Sequence, residues 1–359
     1  MKMLEMGIGA IERGWVPDAL TRTAIRRLCS SRLREISVPA GGPAAPAQEA
    51  FIETLRRGPI ALAPRQSNQQ HYELPPEFFA EMLGRRRKYS CCFWPESDMT
   101  LDAAEEAALT VTCQRAGLND GQDILELGCG WGSLSLWMAE QYPHSRILAM
   151  SHSMSQRRFI EAQMQARGIA NLRVLTADIN DFAPPEHVTA DGQFDRVVSV
   201  EMFEHLRNYE LLLSRVASWL RPNGRLFVHI FCHRDRTYPF ERRVASDWMA
   251  QHFFTGGMMP GSNLLHHFQQ HLQVRQQWVW NGSHYQRTAQ AWLDNLDARR
   301  DEVIPILRSV YGDAAAMRWL HRWRVFLLAV AELFGFNNGD PWFVSHYLLE
   351  HATKSRIQN

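Results

Sequence analysis

The run Ile124-Leu125-Glu126-Leu127-Gly128-Cys129-Gly130-Trp131-Gly132 limits what this chain can fold into more than any other segment. A short apolar stretch enters Gly-x-Gly-x-Gly and leaves into Ser133-Leu134-Ser135-Leu136, the pattern of a strand, a tight turn and a helix. Glycines at alternate positions let the backbone turn sharply and let a ligand approach it closely. A dinucleotide loop would need Gly-x-Gly-x-x-Gly, but the third glycine counted from Gly128 falls on Ser133. Glu126 sits two residues before the first glycine, where a carboxylate would repel a pyrophosphate and attract a cation.

The same alternation of strand and helix continues on both sides of this loop. Strands are predicted at 123–127, 146–150, 172–176, 195–200 and 225–230, with helices at 102–116, 132–141, 155–167 and 208–220. Strands alternating with helices of this length imply a doubly wound α/β domain, its sheet mainly parallel and helices on both faces. Residues 17–36 read as a basic helix carrying Arg22, Arg26, Arg27, Arg32 and Arg34, and 38–49 as a Pro/Gly/Ala linker. After about residue 240 the chain turns rich in Trp, Phe, His and Met. We expect a mostly helical cap there, about 240–345, over the carboxyl ends of the strands. The division is thus an N-terminal helical extension and cofactor-closing segment over 1–99, then the main domain over 100–359.

Composition removes several function classes. With 39 basic and 38 acidic residues the chain lacks the positive excess of a nucleic-acid binder. Six cysteines show no CxxC pair or zinc-ligand spacing, so no metal is expected and a reducing, cytoplasmic setting fits. Glu5 and Glu12 interrupt the N-terminus, so no signal peptide is expected, and Val325 to Phe336, with Glu332 inside it, is shorter than the roughly 20 apolar residues of a span. The basic helix leaves a peripheral membrane contact open, and a homodimer also stays open.

A loop that wants a cation close to its backbone fits S-adenosylmethionine, whose amino group and sulfonium are both positive. Ser151, His152 and Gln156 follow the second strand, where a ribose-binding acid often sits; here the residue is Ser, so hydroxyl recognition falls to Gln156 and nearby groups. Asp178 and Ile179 follow the third, where a carboxylate can accept a hydrogen bond from an adenine amino group.

Beyond these residues, ELGCGWG resembles motif I of class I methyltransferases. HYELPPEFF (71–79), KYSCCFW (88–94), MFEH (202–205) and HYQRT (284–288) resemble the cyclopropane-fatty-acid and mycolic-acid synthase superfamily. TLDAAEEAAL (100–109), EMFEHLRNYELLL (201–213) and FGFNNGDPWFVSH (334–346) make the chain most similar to plant coclaurine N-methyltransferases. The resemblance implies a seven-stranded methyltransferase sheet. It implies that Tyr72, Tyr89 and Ser90 close over the methionine end of the cofactor and that Gly128, Cys129 and Gly130 pass beneath it. Gln156 would hold the ribose, Asp178 and Ile179 the adenine, and Val200 would lie below the methyl group.

Two chemistries follow from the resemblance. Glu201, Glu204 and His205 match the Glu-x-x-Glu-His of the N-methyltransferases, in which an acid/base group must deprotonate an amine before it can attack. Cys91, Glu204, His229, the backbone at Phe231 and Tyr285 resemble the set that binds bicarbonate in the lipid synthases, where a carbocation must lose a proton. At Glu201 the chain is similar to the amine enzymes, and at His229 to the lipid enzymes. The acceptor is therefore a small amine or, alternatively, an unsaturated acyl lipid. Phe203, Trp342 and the aromatic cap are candidates to hold an ammonium or sulfonium by cation–π contact, with most of these aromatics expected to serve packing.

Overall fold

A computed structural model describes residues 2–36, 44–62, 74–240, 248–249, 253 and 256–352. Four helices come first: α1 (Lys2–Glu12), α2 (Asp18–Ile36), α3 (Ala44–Thr54) and α4 (Pro76–Met82). The linker read at 38–49 is thus corrected at its second half, since 44–49 belong to α3 and 37–43 lie outside the described residues. Pro46 falls in the first turn of α3, where a proline removes no helical hydrogen bond.

Helix α5 (Leu101–Ala116) starts at Thr100, whose hydroxyl accepts from the Ala103 amide, and ends at Gly117 in the left-handed conformation. Then follow β1 (Asp123–Leu127), α6 (Ser133–Gln141), β2 (Arg146–Ser151), α7 (Met154–Arg167), β3 (Leu172–Thr176) and β4 (Phe194–Val200). Helix α8 (Tyr209–Trp219) leads into β5 (Leu220–His233), which begins earlier than predicted because a bulge opposite Phe194 lets the chain join the sheet at once. A small ribbon pairs β6 (Tyr238–Pro239) with β7 (Met258–Met259). The chain ends in β8 (Leu272–Trp280), α9 (Gly282–Ala298), α10 (Arg300–Tyr311), α11 (Asp313–Gly335) and β9 (Trp342–His351).

The seven-stranded sheet runs β3-β2-β1-β4-β5-β9-β8, with β1 to β5 parallel and β9 antiparallel to both neighbours. Within the stretch read as cap, helices α9 to α11 form the cap proper, while β8 and β9 complete the sheet. The order reverses between β1 and β4. There the parallel strands open a crevice at their carboxyl ends, the place where such sheets bind ligands. No described helix is long and apolar enough to cross a membrane. The segment Val325 to Gly335 lies in α11, with Glu332 buried against Arg22 and Arg26 of α2. Part of the basic face of α2 therefore docks this helix onto the cap.

Candidate functional site

Two chambers meet above the switch point. The first is walled by the β1 loop and the ends of β2, β3 and β4. It is lined by Tyr89, Ser90, Glu126, Gly128, Cys129, Gly130, Ser151, His152, Gln156, Ile179 and Val200. Eleven expected cofactor residues thus share one cavity. Tyr72 lies outside the described residues. Asp178 is not on the cavity wall: its Oδ1 accepts from the Asn180 amide at 2.9 Å, while its neighbours Ala177 and Ile179 do face the cavity.

The loop itself is built for close approach. Gly128, Gly130 and Gly132 all have positive φ, at 80°, 51° and 77°. A Cβ on Gly128 would strike Met202 and one on Gly132 would strike Ile160, so those two pack against protein. A Cβ on Gly130 would meet no protein atom within 4 Å. Its bareness leaves room for something other than the chain. Glu126, at the end of β1, is buried and accepts from the Ser135 hydroxyl. Burial pushes its carboxyl up to about 7, so a cation arriving beside it would be welcomed. Gln156 is buried too, its amide oxygen taken by the Ser151 hydroxyl at 2.6 Å, which leaves its NH₂ to donate. These features fit S-adenosylmethionine.

The second chamber is compact and aromatic. Its walls include Phe231, Phe240, Tyr285, Trp292, Phe326 and Phe334, with Glu204 among them. Tyr285 stacks on Phe334 at 4.4 Å between ring centroids, and Tyr89 leans on Trp292 at 5.4 Å. Tyr89, Glu201 and His205 line both chambers and form the junction between them. Phe203 and Trp342, expected at a cation site, are elsewhere. Phe203 packs on Tyr209 beneath the sheet and the Trp342 indole N–H donates to the Tyr238 hydroxyl. They are buried because apolar packing on the sheet claims them, and other aromatics face the chamber.

Glu201 is the hub. It follows β4 with φ at +46°, a conformation a non-glycine residue rarely adopts, and its amide donates to the His229 carbonyl at 2.8 Å. Its Oε1 accepts from the Cys91 amide at 2.9 Å and lies 3.2 Å from His229 Nε2, and its Oε2 accepts from the Tyr285 hydroxyl at 2.6 Å. Cys91 thus acts through its backbone. Its thiol, pushed well up by burial, turns to the Cys92 carbonyl. Burial pushes Glu201 up as well, opposed by the charge of Lys88 and by hydrogen bonds from Tyr285 and Cys91. Glu204 is fully buried, lies beside Glu201, and its Oε2 has no partner among the described residues. Burial and then the Glu201 charge push it well above the ordinary carboxylate range. Donors surround one acid and not the other, so Glu201 carries the charge and Glu204 the proton. Burial lowers His205 to about 4, which keeps its imidazole neutral.

Lys88 was not legible as a site residue, and neither was His346. Lys88 is buried and donates to the Ser90 hydroxyl at 2.7 Å and the Cys91 carbonyl at 2.6 Å, tying the loop over the first chamber to the hub. His346 lies behind His229, and only strand pairing brings the two together.

The chain is similar to known methyltransferases and cyclopropane synthases. The family model for mycolic acid cyclopropane synthetase matches residues 62–342. The chain is 36% identical to an (S)-coclaurine N-methyltransferase of Thalictrum flavum subsp. glaucum, over 95% of this chain and 94% of that one. It is 28% identical to the cyclopropane-fatty-acyl-phospholipid synthase of Escherichia coli K12, over 82% of this chain and 72% of that one. A coclaurine N-methyltransferase bound to N-methylheliamine and SAH superposes with a TM-score of 0.92 at 34% identity, covering 98% of this chain and all of that one. A mycolic acid cyclopropane synthase complexed with SAH shares the fold, with a TM-score of 0.65 at 23% identity, covering 80% of this chain and 99% of that one. The chain belongs to the mycolic acid cyclopropane synthetase family and is an S-adenosylmethionine-dependent methyltransferase.

Proposed function

We propose that this enzyme N-methylates a small amine bound among aromatic rings. The observation that carries the reading is the second chamber: compact, aromatic, with Glu204 in its wall, and meeting the first at Tyr89, Glu201 and His205. An acyl chain would call for a long apolar channel instead. When bound, S-adenosylmethionine supplies a methyl group on a sulfonium, and Glu126, Gly128, Gly130, Ser151 and Gln156 are the residues to hold it. Ile179 beside the adenine and Val200 below the methyl group complete the set, while Asp178, off the cavity wall with its carboxylate on the Asn180 amide, is not given a part in it.

The aromatic side chains of Phe231, Phe240, Trp292 and Phe334, which line this chamber, hold an ammonium by cation–π attraction. That cation displaces to solvent the proton Glu204 otherwise carries, and the carboxylate so formed takes the proton from the nitrogen, leaving a neutral amine with a lone pair facing the junction. A carboxyl raised by burial is a stronger base than an ordinary one, which brings its proton affinity closer to that of the amine. Neutral His205 lies across the junction and orients the nitrogen. Much of the remaining acceleration comes from alignment alone.

Glu201 also bears on bicarbonate. The donors that the family resemblance assigns to that anion, at Cys91, His229 and Tyr285, converge on the Glu201 carboxylate. In our reading the side chain takes the place of the ion, and turnover needs no added bicarbonate.

The test is an assay of Glu204→Gln on a panel of secondary amines and an unsaturated phospholipid, in carbonate-free buffer. We expect amine methylation by the parent enzyme without bicarbonate. In the variant, kcat at neutral pH should fall by about 10²–10⁴, the usual worth of a positioned base, and recover as pH approaches the pKa of the free amine. Methylation of the lipid alone, lost without bicarbonate, would overturn the reading.

A further inference from the structure

Behind Glu201, away from both chambers, a row of hydrogen bonds leads through two buried imidazoles to an arginine. His229 Nε2 lies 3.2 Å from Glu201 Oε1, His346 Nε2 lies 2.9 Å from His229 Nδ1, and an Arg115 guanidinium nitrogen lies 2.9 Å from His346 Nδ1. Both histidines are wholly buried. They face each other because His229 of β5 and His346 of β9 are in register across the antiparallel pair. The ring of Trp280 packs on both, 4.3 Å from His346 and 5.4 Å from His229 between centroids. Arg115, in the last turn of α5, is held over Trp278 and Trp280 at 5.2 and 5.6 Å.

The chemistry of the far end sets the direction of every proton in the row. A guanidinium has five donors and no acceptor, and it does not deprotonate. His346 Nδ1 must therefore be the unprotonated nitrogen, which puts the single ring proton on Nε2. That N–H can point only at His229 Nδ1, which must accept, so the proton of His229 sits on its own Nε2. It is then a donor to Glu201. Reversing any one bond would set two N–H groups, or two lone pairs, against each other in a buried place.

We infer that Arg115 and His346 are positioning residues for the junction: they fix His229 as its Nε2–H tautomer, so that it always presents a donor to Glu201. Without them His229 could turn to its other tautomer and set a lone pair against the carboxylate. Glu201 would lose one of its three donors, and the assignment of charge to Glu201 and proton to Glu204 would weaken. No proton travels along the row, since the arginine end neither gives nor takes one. The kinetic part of this inference rests on the amine reading above, but the tautomer part does not.

The experiment is long-range ¹H–¹⁵N correlation spectroscopy on the full chain labelled with ¹⁵N-histidine, without substrate, with signals assigned by His229→Gln and His346→Gln. We expect both histidines as neutral Nε2–H forms. Arg115→Met should leave His346 and His229 as mixtures of tautomers, and Arg115→Lys, which keeps a charged donor, should restore much of the parent pattern. In the amine assay Arg115→Met and His346→Phe should lower kcat by about 10- to 100-fold, the range for losing the partner that orients a functional histidine, with little change in KM. His346→Gln keeps one acceptor and one donor and should recover much of the loss seen in His346→Phe. An Nδ1–H or doubly protonated His229 in the parent protein would overturn the inference. So would Arg115→Met with unaltered spectra. If that variant does not fold, the parent spectrum and the His346 pair decide. The expected tautomers in a protein that methylates no amine would leave the inference standing and sink the amine reading instead.

Discussion

Glu126 is a buried carboxyl with one hydroxyl for company, and in the proposed cofactor site that would make it a reporter on the ligand. Burial holds it up near 7, and a cation beside it would pull that value down. The sign follows directly. Above about 7 the side chain is already ionised and binding releases no proton. Below that value the ligand must first expel one, so affinity for S-adenosylmethionine should fall by up to tenfold per pH unit as the pH drops from about 7. Glu126→Gln should bind more weakly and lose the pH dependence. Calorimetric titration between pH 5.5 and 8.5 measures both, and a parent enzyme with flat affinity would contradict the assignment. Glu126, Gly128 and Gly130 were legible because their meaning is local: a strand, a turn and a charge within seven residues. Glu201 was legible only by family resemblance. Nothing in its neighbours in sequence announces a positive φ, or three donors arriving from residues 91, 229 and 285.

Among elements, the five parallel strands follow from the alternation of apolar runs and amphipathic helices, and their observed ends differ little from the predicted ones except at β5. Strands β8 and β9 were not legible. Eight consecutive residues of β9 are buried, so its sequence carries no alternation to set it apart from a core helix. The loop between α4 and α5 shows the same limit at smaller scale. Its motif, KYSCCFW, was plain, but what holds it was not. Glu105, on α5, accepts from the amides of Gly84 and Lys88 at 3.1 Å each and of Arg86 at 2.7 Å. Three backbone donors thus hang on one buried side chain, just ahead of Tyr89 and Ser90 at the first chamber. Glu105→Ala should free that loop, raise KM for S-adenosylmethionine about tenfold or more, and lower stability by about 1–3 kcal/mol, the cost of orphaned buried amides. Steady-state kinetics with thermal melts would check it. A loss of stability with KM unmoved would make Glu105 a scaffold residue only.

At the scale of the whole molecule, the chamber proposed for the acceptor depends on how the N-terminal helices seat the cap. Helix α11 gives Phe326, Val330, Leu333 and Phe334 to the chamber, and from a neighbouring face it offers Glu332 to α2. Arg22 donates to Glu332 at 2.8 Å and to Gln290 of α9 at 2.6 Å, while Arg26 also grips the same carboxylate. Glu332 is only 4% exposed. Burial alone would push it up, but the hydrogen bonds from Arg26 and Arg22 outweigh burial and hold it below its ordinary value. A lowered carboxyl stabilises the fold above its unfolded pKa, and that contribution is lost as pH falls through the folded one. Glu332→Gln keeps the shape and removes the charge. It should cost about 1–3 kcal/mol at neutral pH, the range for charged hydrogen bonds, and the gap from the parent should close as both are acidified below about pH 4. If α2 seats the wall that α11 presents, the variant should also raise KM for the amine while leaving S-adenosylmethionine affinity alone, since no residue of α11 reaches the first chamber. Melting curves across pH, with both binding measurements, separate the outcomes. Equal loss of both ligands would mean the pair stabilises the molecule without shaping the acceptor site.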